Sequence, residues 1–263
     1  MSCISVQGKA IVDLFQMKNT VIVGERYIGA LEKSLTKFGF DILPLPGNPY
    51  VDPQLAFHSD LSVFSPGNQI IFLAKYLKNT EFEDRIRDLG IKIQYISEKQ
   101  QSIYPDDVQL NAKVLNKNIV FFNKKTISKD IFNFYKEKQY SQEKQIIHVR
   151  QGYTACCTLC CRNSIITSDN GIYEAAQKNN ISVLKISAGN IQLTGYDYGF
   201  IGGSAFEFEN TVYFTGVLSR HPDQQKIEEF ISSQHMEIQY LTEKPIFDIG
   251  GVVVIKNTLN KWN

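Results

Sequence analysis

Residues 107–122 read DVQLNAKVLNKNIVFF, two β-type runs on either side of a short turn that carries Asn118. A pair of such runs joined by a short asparagine-bearing turn predicts a hairpin. The same join recurs along the chain. Asn19 precedes TVIV, Asn68 precedes QIIFLA, Asn163 precedes SIIT and Asn210 precedes TVYFTG. Successive asparagines are 49, 50, 45 and 47 residues apart, and Asn257 follows another β run after 47 more. A fixed period of this length, filling almost the whole chain, marks a repeat architecture.

Each period holds the same elements in the same order. Amphipathic spacing predicts helices over 25–38, 81–89, 128–138, 169–179 and 222–233. Ser128 suits a helix cap, and Asp169 and Pro222 suit first turns. Gly39 and Gly90 stand where a helix end needs a left-handed residue. A second strand follows each helix (DILPL, IKIQYI, QIIHV, SVLKI, EIQYL). Then comes a loop and a third strand leading into the next asparagine turn (LAFHSDLSVF, DVQLNAKVL, TACCTLCC, GSAFEF, FDIGGVVVI). The expected architecture is therefore α/β: five β-α-β-β units closed into a five-fold pseudosymmetric ring, with residues 1–263 as one domain. A two-domain doubly wound layout fits less well. No Gly-x-Gly-x-x-Gly follows a first strand, and the hairpins break a purely parallel pattern. Residues 1–16 are expected to add a strand near the closure point.

Composition narrows the function classes. The 28 basic and 27 acidic residues give a net charge of +1 with no long run of either sign. That offers no electrostatic footprint for nucleic acid or an anionic membrane. No apolar run approaches the roughly 20 residues of a membrane span, and the first residues lack a signal pattern, so a cytoplasmic location is expected. The abundance of Lys, Ile and Asn suggests an AT-rich bacterial genome. Of five cysteines, Cys156, Cys157, Cys160 and Cys161 crowd into six positions, with Cys3 apart. This is not a disulfide framework, and reduced thiols are the simpler reading. Cys157 and Cys160 have CxxC spacing, but no second ligand pair accompanies them, and a β run would point their sulfurs to opposite faces. No metal or other cofactor is expected, and the oligomeric state is open.

In a ring of like units, equivalent positions face a common axis. Counting back from each turn asparagine picks out His58 and Asp60, Asp107, Cys156, Gly202 with Gly203, and Asp248 before Gly250 and Gly251. If 55–64 is a strand, His58, Asp60 and Ser62 share one face. If 154–161 is a strand, Cys156 shares the more polar face with Thr154 and Thr158, which favours it over Cys157. His58 with Asp60 reads as a proton-transfer pair, and the glycines would let a ligand approach the backbone. Tyr196 and Tyr198 are candidate pocket residues. His221, beside a helix start, reads as a surface residue.

These residues resemble the guanidino-group-modifying, or pentein, superfamily: arginine deiminases, dimethylarginine hydrolases and amidinotransferases, and most of all its uncharacterised bacterial families. The resemblance covers about residues 18–257 and rests on the five-fold order, HSD at 58–60, QGYTACC at 151–157, GFIGGS at 199–204 and FDIGG at 247–251. It implies an α/β-propeller fold. It also implies a small guanidino or amidino ligand, gripped by carboxylates (Asp107 and Asp248), attacked by a cysteine nucleophile (Cys156) and served by an acid/base (His58 with Asp60). Gly202 and Gly203 would lie against the substrate. In the family's hydrolases the nucleophile lies near the C-terminus, where this chain reads Asp248-Ile249-Gly250-Gly251. The same fold also serves a ribosome-binding translation factor, so a non-catalytic ligand- or protein-binding role is the second reading.

Overall fold

The computed structural model describes residues 19–67, 69–137 and 144–256. Cys3, Asn68, Asn257 and the strand expected within residues 1–16 lie outside these. Fifteen strands and five α-helices are assigned among the described residues. The first unit runs β1 (Asn19–Gly24), α1 (Glu25–Lys37) and β2 (Phe40–Leu45), then β3 (Val63–Gly67). The second runs β4 (Ile70–Leu73), α2 (Glu81–Asp88), β5 (Lys92–Tyr95) and β6 (Lys113–Asn116). The third runs β7 (Ile119–Phe122), α3 (Lys129–Lys136), β8 (Gln145–His148) and β9 (Leu159–Cys161). The fourth runs β10 (Ser164–Thr167), α4 (Asn170–Lys178), β11 (Val183–Lys185) and β12 (Ala205–Phe208). The fifth runs β13 (Thr211–Phe214), α5 (Gln224–Ser233), β14 (Glu237–Tyr240) and β15 (Val253–Ile255).

The strands form five separate three-stranded sheets. In each, a unit's first strand is central, parallel to its own second strand and antiparallel to the third strand of the unit before. The set is completed from the chain's far end, because β15 pairs with β1, Thr20 opposite Ile255. Central strands are covered on both faces, so β4 and β10 are buried at every position. This is why β4 reads as an unbroken apolar run and neither strand alternates.

Helices begin where their caps dictate. The side chains of Thr80, Ser128 and Asp169 each accept a backbone N–H from the following turn. Each helix buries one stripe between two central strands. Phe82 and Ile86 of α2 pack with β1 and β4, and Ile131 and Tyr135 of α3 with β4 and β7. Ile172 and Ala176 of α4 pack with β7 and β10, and Ile227 and Ile231 of α5 with β10 and β13. Leu31 and Leu35 of α1 join Val21 and Val23 of β1 to Tyr213 of β13. Five apolar clusters thus link neighbouring units, the fifth to the first included.

The third strands start later than their composition suggests. Residues 55–62 form turns and a short 3-10 segment, with Leu61 N–H bonded to His58 O at 3.3 Å and Ser62 N–H to Ser59 O at 3.1 Å. Residues 154–157 are also a turn, ahead of β9. The face expected from strand alternation is therefore not realised: all five residues from His58 to Ser62 are buried. Cys157 precedes β9 rather than lying within it, so the CxxC sulfurs do not fall on opposite faces. Cys157 and Cys160 pack into the same apolar cluster.

Candidate active site

The turns that precede β3, β9 and β15 converge with the loop before β12. Asp60 N–H bonds Gly250 O at 3.1 Å, and the Ser59 hydroxyl donates to the carbonyls of Gly250 and Gly251. Gly203 N–H bonds Cys156 O at 3.0 Å, and Ile249 and Gly251 both donate to Gly203 O. Backbones approach this closely only where side chains are missing. A Cβ at Gly203 would sit 2.0 Å from Asp248 Oδ1, and one at Gly202 2.2 Å from Ala155 O. The glycines bring chain segments together, and protein atoms already fill the space a ligand would need at Gly203. Gly250 has φ +72°, and a Cβ there would lie 2.2 Å from His58 Cβ.

Four expected site residues meet at this junction, in pairs other than those expected. The Cys156 thiol donates to Asp60 Oδ2 at 2.6 Å. His58 neighbours Asp248 instead of Asp60, Nδ1 to Oδ1 at 4.0 Å, which is outside hydrogen-bond range but within that of charge attraction. Asp248 accepts the backbone N–H groups of Phe200 and Gly250, both at 2.8 Å. Asp107 stands further back and takes the hydroxyl of Tyr153.

Two buried atoms at the junction have no partner, His58 Nε2 and Asp60 Oδ1. They sit at the edges of two different cavities. A cavity of about 250 Å³ is lined by His58, Cys156, Asp248, Tyr153, Tyr196 and Phe200 among others. A larger one, about 950 Å³, runs between β3, β6, β12 and β15 and reaches Asp60 and Gly202. Of these two cavities, Asp60 lines the larger and Asp248 the smaller. The Asp60–Cys156 hydrogen bond lies between the two.

Burial sets the protonation of these groups. It lifts the Asp60 carboxyl to about 8, against the pull of its bond to Cys156. Burial raises the carboxyl of Asp248 as well, with His58 opposing, and lowers the imidazole of His58. The Cys156 thiol is pushed well above the usual range, first by burial and then by Asp60 and Asp248. At neutral pH the Cys156 thiol and the His58 imidazole are therefore uncharged, and Asp60 largely keeps its proton.

Cys157 and Cys161 pack into apolar clusters, whereas Cys156, in the turn before β9, is the cysteine that lines the smaller cavity. Tyr196 and Tyr198 both line the smaller cavity. His221 is a correction: it is 4% exposed, and its Nδ1 accepts Asp223 N–H. Sequence reasoning missed Asn111. Its amide donates to Cys156 Sγ at 3.5 Å and Asp60 O at 3.4 Å while its Oδ1 takes Ala155 N–H at 2.6 Å. It stands seven residues before Asn118, as Cys156 stands seven before Asn163.

The profile of the Family of unknown function (DUF6873) matches residues 22–253. The chain belongs to that family. No curated protein is detectably similar in sequence to this DUF6873 member. Among solved structures it is similar to DDAH, a dimethylarginine dimethylaminohydrolase, from Pseudomonas aeruginosa complexed with citrulline. That likeness has a TM-score of 0.55 at 8% identity, over 91% of this chain and 100% of that one. SxtG, an amidinotransferase from Microseira wollei, gives 0.55 at 9%, over 92% and 95%. A C. jejuni agmatine deiminase with substrate bound gives 0.54 at 7%, over 91% and 94%. The DUF6873 chain thus has the fold of the guanidino-group-modifying pentein proteins. At such identities the likeness speaks for the fold alone. Among the described residues no helix is long and apolar enough to cross a membrane, and no cluster of three His, Cys, Asp or Glu side chains could hold a metal ion.

Proposed function

We propose that this chain is a cysteine-dependent hydrolase or transferase acting on a small guanidino or amidino compound in the smaller cavity. The observation that carries this is the Cys156 thiol, hydrogen-bonded to Asp60, on a cavity that His58 and Asp248 also line. A guanidinium beside Asp248 would meet a carboxylate oriented by two backbone N–H groups. Its positive charge favours ionisation of the neutral pair. Once Asp60 has released its own proton to solvent, the thiol proton passes to that carboxylate, and the sulfur forms a bond to the amidinium carbon. As the C–N bond to the leaving nitrogen breaks, that nitrogen takes up the proton, which leaves an S-alkylthiouronium on Cys156. Water then adds to that carbon while giving a proton to His58, and the C–S bond breaks to restore the thiol. Transfer to an amine in place of water gives the amidinotransferase outcome. Asn111 holds the Cys156 and Asp60 turns together, and Asp107 acts through Tyr153. Gly202 and Gly203 allow the approach that puts Asp248 there.

The five units are proposed to close into one ring over residues 1–263, supported by the β15–β1 pairing and the five linking clusters. A cytoplasmic protein is the reading that fits its reduced thiols. The named activities of the solved neighbours agree with the chemistry. A binding role without turnover is the second reading, favoured by the neutral state of the buried Cys156 thiol. The test is incubation with agmatine, arginine and methylated arginines, measuring released amine or ammonia alongside thermal stabilisation. Product that disappears in Cys156→Ser supports catalysis. Stabilisation without product supports the binding role, and neither result for any compound rejects both guanidino readings.

A further inference from the structure

The smaller cavity has an unusual wall. Tyr153 stacks on Phe200, with ring centres 6.5 Å apart and planes 26° apart, and Tyr198 meets Phe200 edge-on at 6.0 Å. Tyr196 completes the aromatic lining. The charged groups of the wall are Asp197 and Asp248, with His58 the remaining titratable side chain besides the tyrosines and Cys156. More acid lies behind it: Tyr153 is hydrogen-bonded to Asp107, and the charge of Asp52 reaches Tyr196. Among the described residues no Lys or Arg lines this cavity. Arg26, whose charge reaches His58, is turned elsewhere. Its guanidinium lies 4.7 Å from the ring centre of Phe57, with its N–H groups toward the carbonyls of Pro53 and Gln54 at 3.4 and 3.5 Å.

We infer that the cavity takes a guanidinium or amidinium whose tail carries no carboxylate, an inference that rests on the guanidino reading of the site. An amino-acid carboxylate placed here would lose water, find no cationic partner and face Asp197 and Asp248. An apolar or cationic tail meets ring faces and acids that attract it. The Nε2 of buried His58 has no partner and remains free to bond a group on the ligand's head. The tail, not the head, therefore sets selectivity.

The experiment compares agmatine with arginine, which differ by the carboxylate, and adds methylguanidine as a head without a tail. The full-length protein is titrated by calorimetry and checked by thermal stabilisation. Agmatine is expected to bind at least about tenfold more tightly than arginine. The Asp197→Lys variant, altered at an exposed position, should narrow that gap by supplying the missing cation. Arginine binding as tightly as agmatine, with Asp197→Lys leaving the ratio unchanged, overturns the inference while the guanidino reading stands. If none of the three binds, the guanidino reading itself fails, and this inference with it.

Discussion

The two cavities that meet at the Asp60–Cys156 hydrogen bond differ in more than size. The larger, about 950 Å³, is walled by strand edges and carries Lys113, Lys117, Lys144 and Lys256 alongside Glu207 and Glu209. The smaller, about 250 Å³, has an aromatic and acidic wall without a basic group among the described residues. Volume alone would place a ligand in the larger. The imidazole, the thiol and the oriented carboxylate face the smaller. Strand edges from four of the five units make the larger space, whereas turns with unlike residues make the smaller one. The proposed chemistry therefore falls where the repeat is broken.

The boundary between the cavities is the place where a substitution should cost most. Gly250 edges the larger cavity and presses against His58 of the smaller. Gly250→Ala combines a left-handed residue with a clash against His58 Cβ. We expect a loss of roughly 3 kcal/mol or more in urea unfolding. A loss under about 1 kcal/mol would mean the partition is soft and the two cavities are one.

Asp60 should make the fold sensitive to pH. Its carboxyl titrates near 8 in the folded protein, against an ordinary value of 3.8. Between those values the folded state keeps a proton that the unfolded chain has released, so stability falls as pH rises. Asp248 acts in the same sense. His58, lowered by burial, acts oppositely, adding stability as pH climbs to about 6.5, where its unfolded form has shed its proton. Above that pH the carboxylates dominate. Asp60→Asn should therefore flatten the decline between about 6.5 and 8 by about 1 kcal/mol or more, the equivalent of a single pKa unit. Parallel stability curves for the two proteins would remove Asp60 from this role.

The smallest effect is expected from the larger cavity. The Lys113 charge favours the ionised form of Asp60 from that side. Lys113→Met should raise the Asp60 pKa further and change agmatine affinity less than about twofold, which is under 0.5 kcal/mol. A tenfold loss of affinity would move the ligand into the larger cavity and invert the comparison.

Much of the fold was legible in the chain. Hairpins at Asn118, Asn163 and Asn210, the helix cap at Ser128 and the order of elements all follow from local patterns that the structure keeps, whereas Asp169, read as a first-turn residue, is itself the cap of its helix. The segments 55–62 and 154–158 misread as strands because a buried turn is as apolar as a strand. The bonds that distinguish it, such as Ser62 N–H to Ser59 O, leave no trace in composition. The candidate site was half legible. Counting from the turn asparagines reached His58, Asp60, Cys156 and Asp248, but pairing depends on how loops from different units interleave. His58 therefore faces Asp248, and Asp60 faces Cys156. Asn111 shares the register of Cys156, yet reading the second unit through its acidic Asp107 passes over it. His221 is polar beside a helix start, which is also the pattern of a buried residue that accepts a backbone N–H.

The central claim is that Cys156 is a nucleophile facing a cation site. The most direct measurement compares 2-chloroacetamidine with 2-chloroacetamide, two alkylating agents of nearly equal size, of which the first is a cation. After limited reaction near neutral pH, labelled peptides are mapped by mass spectrometry. Attraction by Asp248 and ionisation of the Asp60–Cys156 pair should make the amidine label Cys156 at least tenfold faster than the amide, with the advantage much reduced in Asp248→Asn. Equal rates for the two reagents, or labelling confined to cysteines other than Cys156, would contradict the account and leave Cys156 a packed residue in a turn.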